Sequence, residues 1–360
     1  MNSDLTKYIN ALNYTMKSMS YWTNILTIPI GIILNMFAIY IYSRPNLNKS
    51  KSNMGFFYIN LSFWSVTALV TSLFVISSKN LLNYDLSVLS HTSCAVIWFI
   101  RRFIRETPSW VDVLITIDRY LLICHNHKFN LMTKRKNLII ILFLIIFILI
   151  SKSITNMYYS LSYTYVTTSV YDMNLNFTVN KTTVSSIVCS SSKYNALISD
   201  IISAVFKSIL PSLIMISLST LLVRKVREKK NNAKKLAKRS TIKNITSFGP
   251  KNVPSNKNFT HISKETSFTL CIVSMNTLFF VLNTPFSIMS IYRTIYVNYI
   301  VDQNPLQLSI VKNVYTLTYD LSNLYYSFMF FSYLCFNKLF LKETLYLFGR
   351  IKVGNLGSTS

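Results

Sequence analysis

The stretch Thr116-Ile-Asp-Arg-Tyr-Leu121 decides how the rest of this chain is interpreted. It ends a mostly apolar run that begins near Cys94, and the basic segment Lys134-Arg-Lys136 follows it. An acid, an arginine and a tyrosine at the end of an apolar helix indicate a functional site, because charges at membrane depth are costly. The triplet also occurs by chance in many proteins, so its meaning depends on the surrounding sequence.

The composition is that of a membrane protein. The 360 residues are 51% hydrophobic and 14% charged, whereas a soluble domain has about a quarter of its residues charged. The net charge of +25 is concentrated in loops between apolar runs, so it does not indicate a nucleic-acid partner. Five cysteines are too few for a dense disulfide framework.

Seven segments are long and apolar enough to cross a bilayer, which takes about 20 residues. They are approximately residues 22–43, 54–77, 91–124, 138–159, 196–224, 264–293 and 309–335. Lys and Arg concentrate in the loops after the first, third and fifth segments, which places those loops in the cytoplasm. The predicted fold is an all-α membrane protein, a seven-transmembrane helix bundle with its N-terminus outside and its C-terminus in the cytoplasm.

This topology divides the chain into three parts. Residues 1–21 form an extracellular N-terminus, 22–335 the bundle, and 336–360 a short amphipathic eighth helix and cytoplasmic tail. The cytoplasmic loop 225–263 is basic and is predicted to be flexible because glycine and proline interrupt it. Glycosylation is predicted at the outer Asn-x-Thr sequons, which begin at Asn13, Asn176 and Asn180.

Over residues 22–348 the sequence resembles the rhodopsin-like (class A) G-protein-coupled receptor family. Cys94 lies twenty-five residues before Arg119, which is the spacing of the third helix in that family. Gly31-Ile-Ile-Leu-Asn35 is similar to the Gly-x-x-x-Asn pattern of its first helix, where the asparagine bonds between helices. The resemblance implies a plasma-membrane receptor that activates a heterotrimeric G protein when helix six swings outward.

The resemblance also implies roles for individual residues. It pairs Cys94 with Cys189 in a disulfide, and it pairs Arg119 with Asp118 or with Glu265, which lies twenty residues before Pro285. The activation residues that it implies are Asp118, Arg119, Tyr120, Glu265, Phe279, Pro285 and Tyr333.

Several positions depart from the family pattern. Ser65 replaces the aspartate that binds sodium, and Asn283 replaces the tryptophan of the sixth helix. Ser219 replaces a tyrosine of the fifth helix, and Met329-Phe330 replaces the Asn-Pro of the seventh. The usual sodium site is therefore in doubt, Asp112 is a candidate for the missing acid, and an altered route of activation is expected.

The third segment carries charges that bear on the ligand. Arg102 and Glu106 are four residues apart, which predicts a neutralising pair on one helix face. Arg101 stands eighteen residues before Arg119, where the family's amine receptors have an aspartate, so the ligand is not a monoamine. A carboxylate or a carbonyl-rich peptide fits better, although the arginines could equally be anchors that reach the outer interface. The predicted ligand-binding residues are Arg101, Arg105, Lys207, Tyr292 and Asp320.

These features predict a neuropeptide receptor, a glycoprotein whose partners are an extracellular peptide or small ligand, a heterotrimeric G protein and membrane lipids. A chemosensory receptor would share the architecture, and a multi-pass transporter is a further alternative that would be expected to show a repeat between its halves. No His, Cys or acid cluster has a catalytic arrangement, so an enzyme is not expected, and no cofactor or metal is.

Overall fold

The computed structural model describes residues 3–45, 54–81, 86–124, 135–154, 159–172, 177–246, 257–301 and 304–349. This part of the chain is a bundle of long helices with one β-hairpin at one end. The charge pattern predicts that this end is extracellular, so it is called the outer end below and the opposite end is called the inner end. The helices are α1 Ser3–Ser43, α2 Met54–Leu81, α3 His91–Cys124, α4 Arg135–Ser153, α5, α6 Lys257–Tyr299, α7 Pro305–Phe336 and α8 Lys338–Leu347. Helix α5 comprises Lys193–Ala204, a π-helical turn Val205–Ile209, and Leu210–Thr246.

Five of these helices are long and apolar enough to span a membrane, as judged from length and composition over the described residues. They are α1, α2, α4, α5 and α6. Helix α3 falls outside this group because it carries a cluster of charged residues, and α7 because it is rich in Ser, Thr, Asn and Tyr. Helix α4 exposes large apolar side chains such as Phe143 and Phe147, as expected of a lipid-facing surface.

Four helix boundaries differ clearly from the sequence prediction. Helix α1 begins at Ser3, so most of the predicted extracellular N-terminus, residues 1–21, is a continuation of the first helix. Helix α5 continues to Thr246 and α6 begins at Lys257, so the prediction of a flexible loop over 225–263 is wrong for both flanks. Helix α4 ends at Ser153 rather than near residue 159.

A long antiparallel β-hairpin joins α4 to α5, and the sequence analysis did not predict it. Strand β1, Ser160–Asp172, pairs with β2, Phe177–Ser190, and Leu161 lies opposite Cys189. The run of Tyr, Thr and Val in β1 is the composition typical of strands, and it could have indicated the hairpin.

Close packing of α1 against α7 depends on Gly31 and Asn35. A Cβ atom on Gly31 would lie 2.3 Å from the Ser327 hydroxyl, so only glycine allows this approach. Asn35 is fully buried, and its Nδ2 donates to the carbonyl of Tyr326 at 2.8 Å. This contact confirms the predicted interhelical role of Asn35, since a buried amide needs a partner.

Helix α8 is fixed to the inner end of the bundle by a cap and an ion pair. The Asn337 side chain accepts a hydrogen bond from the amide of Phe340, and its Nδ2 donates to Tyr42. Arg44, just after α1, pairs with Glu343 of α8 at 3.1 Å. The buried Phe340 ring packs against Tyr42 and Tyr333, so α8 continues the aromatic core.

Candidate functional site

A cavity of about 330 Å³ opens among the outer ends of α3, α5, α6 and α7, beneath the hairpin. Its volume is at the lower end of the range for small-molecule sites. Among its described lining residues the cations are Arg101, Arg102, Arg105, Lys207 and Arg293, and the only carboxylate is Asp200. Aromatic side chains complete the wall, namely Trp98, Tyr159, Phe286, Tyr315 and Tyr319. This region is called the outer cavity below.

Arg102 and Asp200 form an ion pair across α3 and α5. Arg102 Nη1 also donates to the carbonyl of Ser199 at 2.6 Å, and Thr294 of α6 donates to the second oxygen of Asp200. The predicted pair between Arg102 and Glu106 is therefore wrong, because Arg102 turns toward α5.

Glu106 instead pairs with Lys152, which comes from the last turn of α4. The Glu106 carboxylate is completely buried and also accepts a hydrogen bond from Ser203 of α5 at 2.7 Å. A single acid thus holds the outer ends of α3, α4 and α5 together. Lys152 lies in the triplet Ser151-Lys152-Ser153 that follows the apolar run of α4, and its pairing with Glu106 accounts for a lysine at this depth.

Arg105 lies deeper in the outer cavity. Its Nη2 donates to Ser322 and, at 3.2 Å, to the Asn323 side chain, both on α7. Its guanidinium carbon lies 4.1 Å from the centroid of the Tyr319 ring and 5.4 Å from that of Phe286. Arg105 therefore connects α3 to α6 and α7 at the cavity floor.

Lys207 reaches the cavity from the π-helical turn of α5. Pro211 has no amide hydrogen for the carbonyl of Lys207, so the regular ladder is interrupted at this turn. A π-helical turn absorbs the interruption, and such turns are frequent at functional sites. The Lys207 Nζ lies 4.1 Å from the centroid of the Phe286 ring.

Three of the five predicted ligand residues line the outer cavity, namely Arg101, Arg105 and Lys207. The shared pocket predicted for Tyr292 and Asp320 is wrong. Tyr292 is 49% exposed and does not line the cavity. Asp320 accepts a hydrogen bond from Asn24 of α1 at 2.6 Å and lines a smaller cavity between α1 and α7.

The hairpin covers part of the outer cavity and is tied to α3. Cys94 and Cys189 form the disulfide that the resemblance implies, and their Cα atoms lie 5.6 Å apart. Cys189, Ser190 and Ser191 line the cavity, so the bond holds the end of β2 over its entrance. Of the predicted glycosylation residues, Asn13 lies in α1 and Asn180 in β2, whereas Asn176 lies outside the described residues.

At the inner end of the bundle, Arg119 is 5% exposed. Its Nε lies 3.5 Å from the Asp118 carboxylate, and its guanidinium carbon lies 5.6 Å from the Phe268 ring centroid on α6. Tyr120 packs beside Ile123 against α5. Glu265 lies on α6 one turn before Phe268, but its side chain is outside the described residues, so its pairing with Arg119 stays a prediction.

A buried hydrogen-bond network joins α3, α5 and α6 above Arg119. Asn276 of α6 donates to Ser219 of α5 at 2.8 Å and to Thr116 of α3 at 3.1 Å. All three side chains are buried. We call these three residues the inner clasp. In the sequence, Ser219 stands out only as the replacement of a tyrosine, and its partner Asn276 does not stand out.

The remaining predicted activation residues lie along α6 and α7. The buried Phe279 ring contacts Tyr325 edge-on, with centroids 5.3 Å apart, and Pro285 lies inside α6. Tyr333 is fully buried and packs against Tyr58 of α2, with ring centroids 4.8 Å apart. In this conformation Tyr333 belongs to the aromatic core at the inner end of α1, α2 and α8.

The family comparison agrees with this geometry. The model of the family "7 transmembrane receptor (rhodopsin family)" matches residues 34–329. The chain belongs to this family. No curated protein matches the chain significantly.

Membership fixes the general class of the protein. Proteins of this family are seven-helix membrane receptors rather than enzymes, with an extracellular ligand and a G protein as their partners. The chain is therefore a multi-pass receptor of the rhodopsin family, which excludes the transporter considered from the sequence.

Proposed function

We propose that this receptor binds an extracellular peptide in the outer cavity, most simply a neuropeptide, and activates a heterotrimeric G protein by outward movement of α6. One observation carries the proposal, namely that α6 contributes to both ends of the bundle. Phe286, Arg293 and Thr294 line the outer cavity, whereas Phe268 and Asn276 contact α3 at the inner end. A ligand that shifts the outer part of α6 can therefore change the inner contacts.

The lining of the cavity supports a peptide over a monoamine. A protonated amine would meet several cations and only one carboxylate, Asp200, which is already paired with Arg102. Aromatic walls suit a partly apolar ligand, and the cavity is large enough for one end of a peptide rather than a whole one. The same architecture serves a chemosensory ligand, and nothing in the geometry favours that alternative.

Activation is then a shift between two conformers. A ligand favours the open conformer only by the difference between its affinities for the two. In the closed conformer the inner clasp holds α6 against α3 and α5, and Arg119 faces Phe268. Pro285 provides the pivot because a proline weakens the helix backbone there.

Nucleotide exchange on a panel of G proteins tests this proposal without a known ligand. Membranes would carry the wild type, Glu265→Ala or Arg119→Ala. We expect Glu265→Ala to raise basal exchange, because it removes the acid that we place against Arg119, and Arg119→Ala to lack this increase. Glu228→Ala is the control, since Glu228 is an exposed acid on α5 that pairs with Lys225. Equal exchange in all variants at equal surface expression would contradict the proposed coupling.

Glycosylation tests the proposed orientation, with the N-terminus outside. We expect glycosidase to reduce the mass of the wild type, and we expect this shift to disappear when Asn13, Asn176 and Asn180 are all changed to Gln. The control is Asn244→Gln, because the Asn244-Ile-Thr sequon lies on the side that we assign to the cytoplasm. A shift that depends on Asn244 instead would reverse the topology.

A further inference from the structure

We propose that the floor of the outer cavity is a seat for a carboxylate of the ligand, held by Lys207 and Arg105. The inference rests on the proposed function, since it assigns a chemical group to the ligand of the same cavity. Two buried cations there have unused hydrogen-bond donors, and neither forms an ion pair with an acid among the described residues.

Lys207 is the first half of the seat. Its side chain is 3% exposed, and its Nζ has no hydrogen-bond partner among the described residues. The Phe286 ring, 4.1 Å from Nζ, offers only a weak electrostatic contact. A buried ammonium group without a partner is costly, so a structural role alone does not account for a lysine at this position.

Arg105 is the second half. The residue is 7% exposed, and its Nη2 is engaged by α7, whereas Nε and Nη1 have no partner among the described residues. Arg105 and Lys207 both face the Phe286 ring, so their two positive charges share one end of the cavity. Like charges at close range repel, and an entering anion would relieve that repulsion.

The nearby acids are already engaged. Asp200 pairs with Arg102, and Glu106 pairs with Lys152 and also accepts from Ser203. On the other side of α7, Asp320 is bound by Asn24 of α1. The fold therefore neutralises two of the cations in this region internally and leaves Lys207 and Arg105 for an external anion.

A carboxylate fits this seat better than a more highly charged group. The unused Nη1 of Arg105 and the Lys207 ammonium can each donate to one oxygen of a carboxylate. Such charge-assisted bonds are strong. The rings of Phe286 and Tyr319 flank the seat and limit hydration, which disfavours a doubly charged group such as phosphate. The carboxylate could belong to the C-terminus of a peptide or to a small organic acid.

Thermal unfolding of the purified full-length receptor in detergent tests the seat without any G protein. Benzoate at millimolar concentration should raise the melting temperature by at least about 2 °C, and its neutral analogue benzamide should not. In Lys207→Met the benzoate shift should be lost. The ligand-free melting temperature of this variant should rise, because an unpaired buried charge is removed. Lys225→Met, at an exposed lysine of α5, is the control and should keep the wild-type shift.

Arg105→Gln serves as a second variant, so that the test does not depend on the folding of one protein. Two pools of synthetic pentapeptides without acidic side chains identify the source of the anion, one pool with free C-termini and the other amidated. A larger shift with the free acids supports a peptide C-terminus, and a shift with benzoate alone supports a small acid. Equal shifts with benzoate and benzamide, no shift with any acid, or destabilisation of ligand-free Lys207→Met would overturn the seat. None of these outcomes bears on coupling, which nucleotide exchange measures separately.

Discussion

Replacing Asn276 by leucine is expected to raise basal nucleotide exchange several-fold in the absence of any ligand. The change removes two buried hydrogen bonds, to Ser219 and Thr116, that join α6 to α5 and α3. If these bonds exist only in the closed conformer, their loss favours the open one by about 1–2 kcal/mol, or about 5–30-fold in the conformational equilibrium. The measurement is exchange per receptor at the cell surface.

Thr277→Leu is the matched control for this prediction. Thr277 is the next residue on α6 and is exposed, and its hydroxyl donates to the carbonyl of Val273 in the same helix. Ser219→Ala should give a smaller increase than Asn276→Leu, because it removes one of the two bonds. If Asn276→Leu and Thr277→Leu behave alike at equal surface expression, the inner clasp does not restrain activation.

The second large effect is expected at Glu106. Glu106→Leu leaves the mostly buried Lys152 without its counter-ion, and breaking a buried pair in this way typically costs about 3–5 kcal/mol. The receptor should reach the cell surface in much smaller amounts and should unfold at a lower temperature. Both properties are measurable without knowledge of the ligand.

A second substitution tests whether the loss of stability in Glu106→Leu comes from the unpaired Lys152 or from the loss of the acid itself. Combining Glu106→Leu with Lys152→Met should restore much of the lost stability, because neither member of the pair then remains as an uncompensated charge. Glu228→Leu, at an exposed acid of α5, should have little effect. A double variant that is less stable than Glu106→Leu alone would contradict the pairing, as would a harmless Glu106→Leu.

The bundle itself could be predicted because a membrane requires long apolar runs. The outer part of α1 could not, since residues 3–21 are polar and show no membrane signal. Contacts with α7 hold this extension in place, since Asn13 accepts hydrogen bonds from Ser309 and Asn313. The inner extension of α5 is also polar, and a polar segment between two apolar runs predicts a loop rather than a helix.

The candidate site was predictable where a charge lay inside an apolar segment. Arg101, Arg105 and Lys207 are such charges, and they line the outer cavity. The ion-pair partners of these charges could not be predicted. The sequence shows which residues lie four positions apart on one helix, but it does not show which residues meet across different helices. Arg102 binds Asp200, which is 98 residues away, and Glu106 binds Lys152, which is 46 residues away.

Residues without charge gave no comparable signal. Tyr319 lies under the Arg105 guanidinium, and Asn276 joins three helices, yet neither position stands out among the many Tyr and Asn residues of the chain. Asp320 did stand out, but its charge serves a contact between α1 and α7.

We propose that the inner end of α6 moves away from α3 when the receptor engages its G protein. Spin labels at Cys124 of α3 and at Leu270→Cys of α6 would report this distance, in a receptor that also carries Cys271→Ala and Cys335→Ser. Cys124 is partly exposed and Leu270 is exposed, so both positions accept a label. The reference pair is Cys124 with Ile140→Cys on α4, which is also exposed.

The measurement compares the wild type with Asn276→Leu, with and without nucleotide-free G protein. We predict that a longer distance between Cys124 and position 270 appears in Asn276→Leu with the G protein, while the reference distance to α4 stays constant. An unchanged distance between positions 124 and 270 in a variant that accelerates nucleotide exchange would contradict the movement of α6.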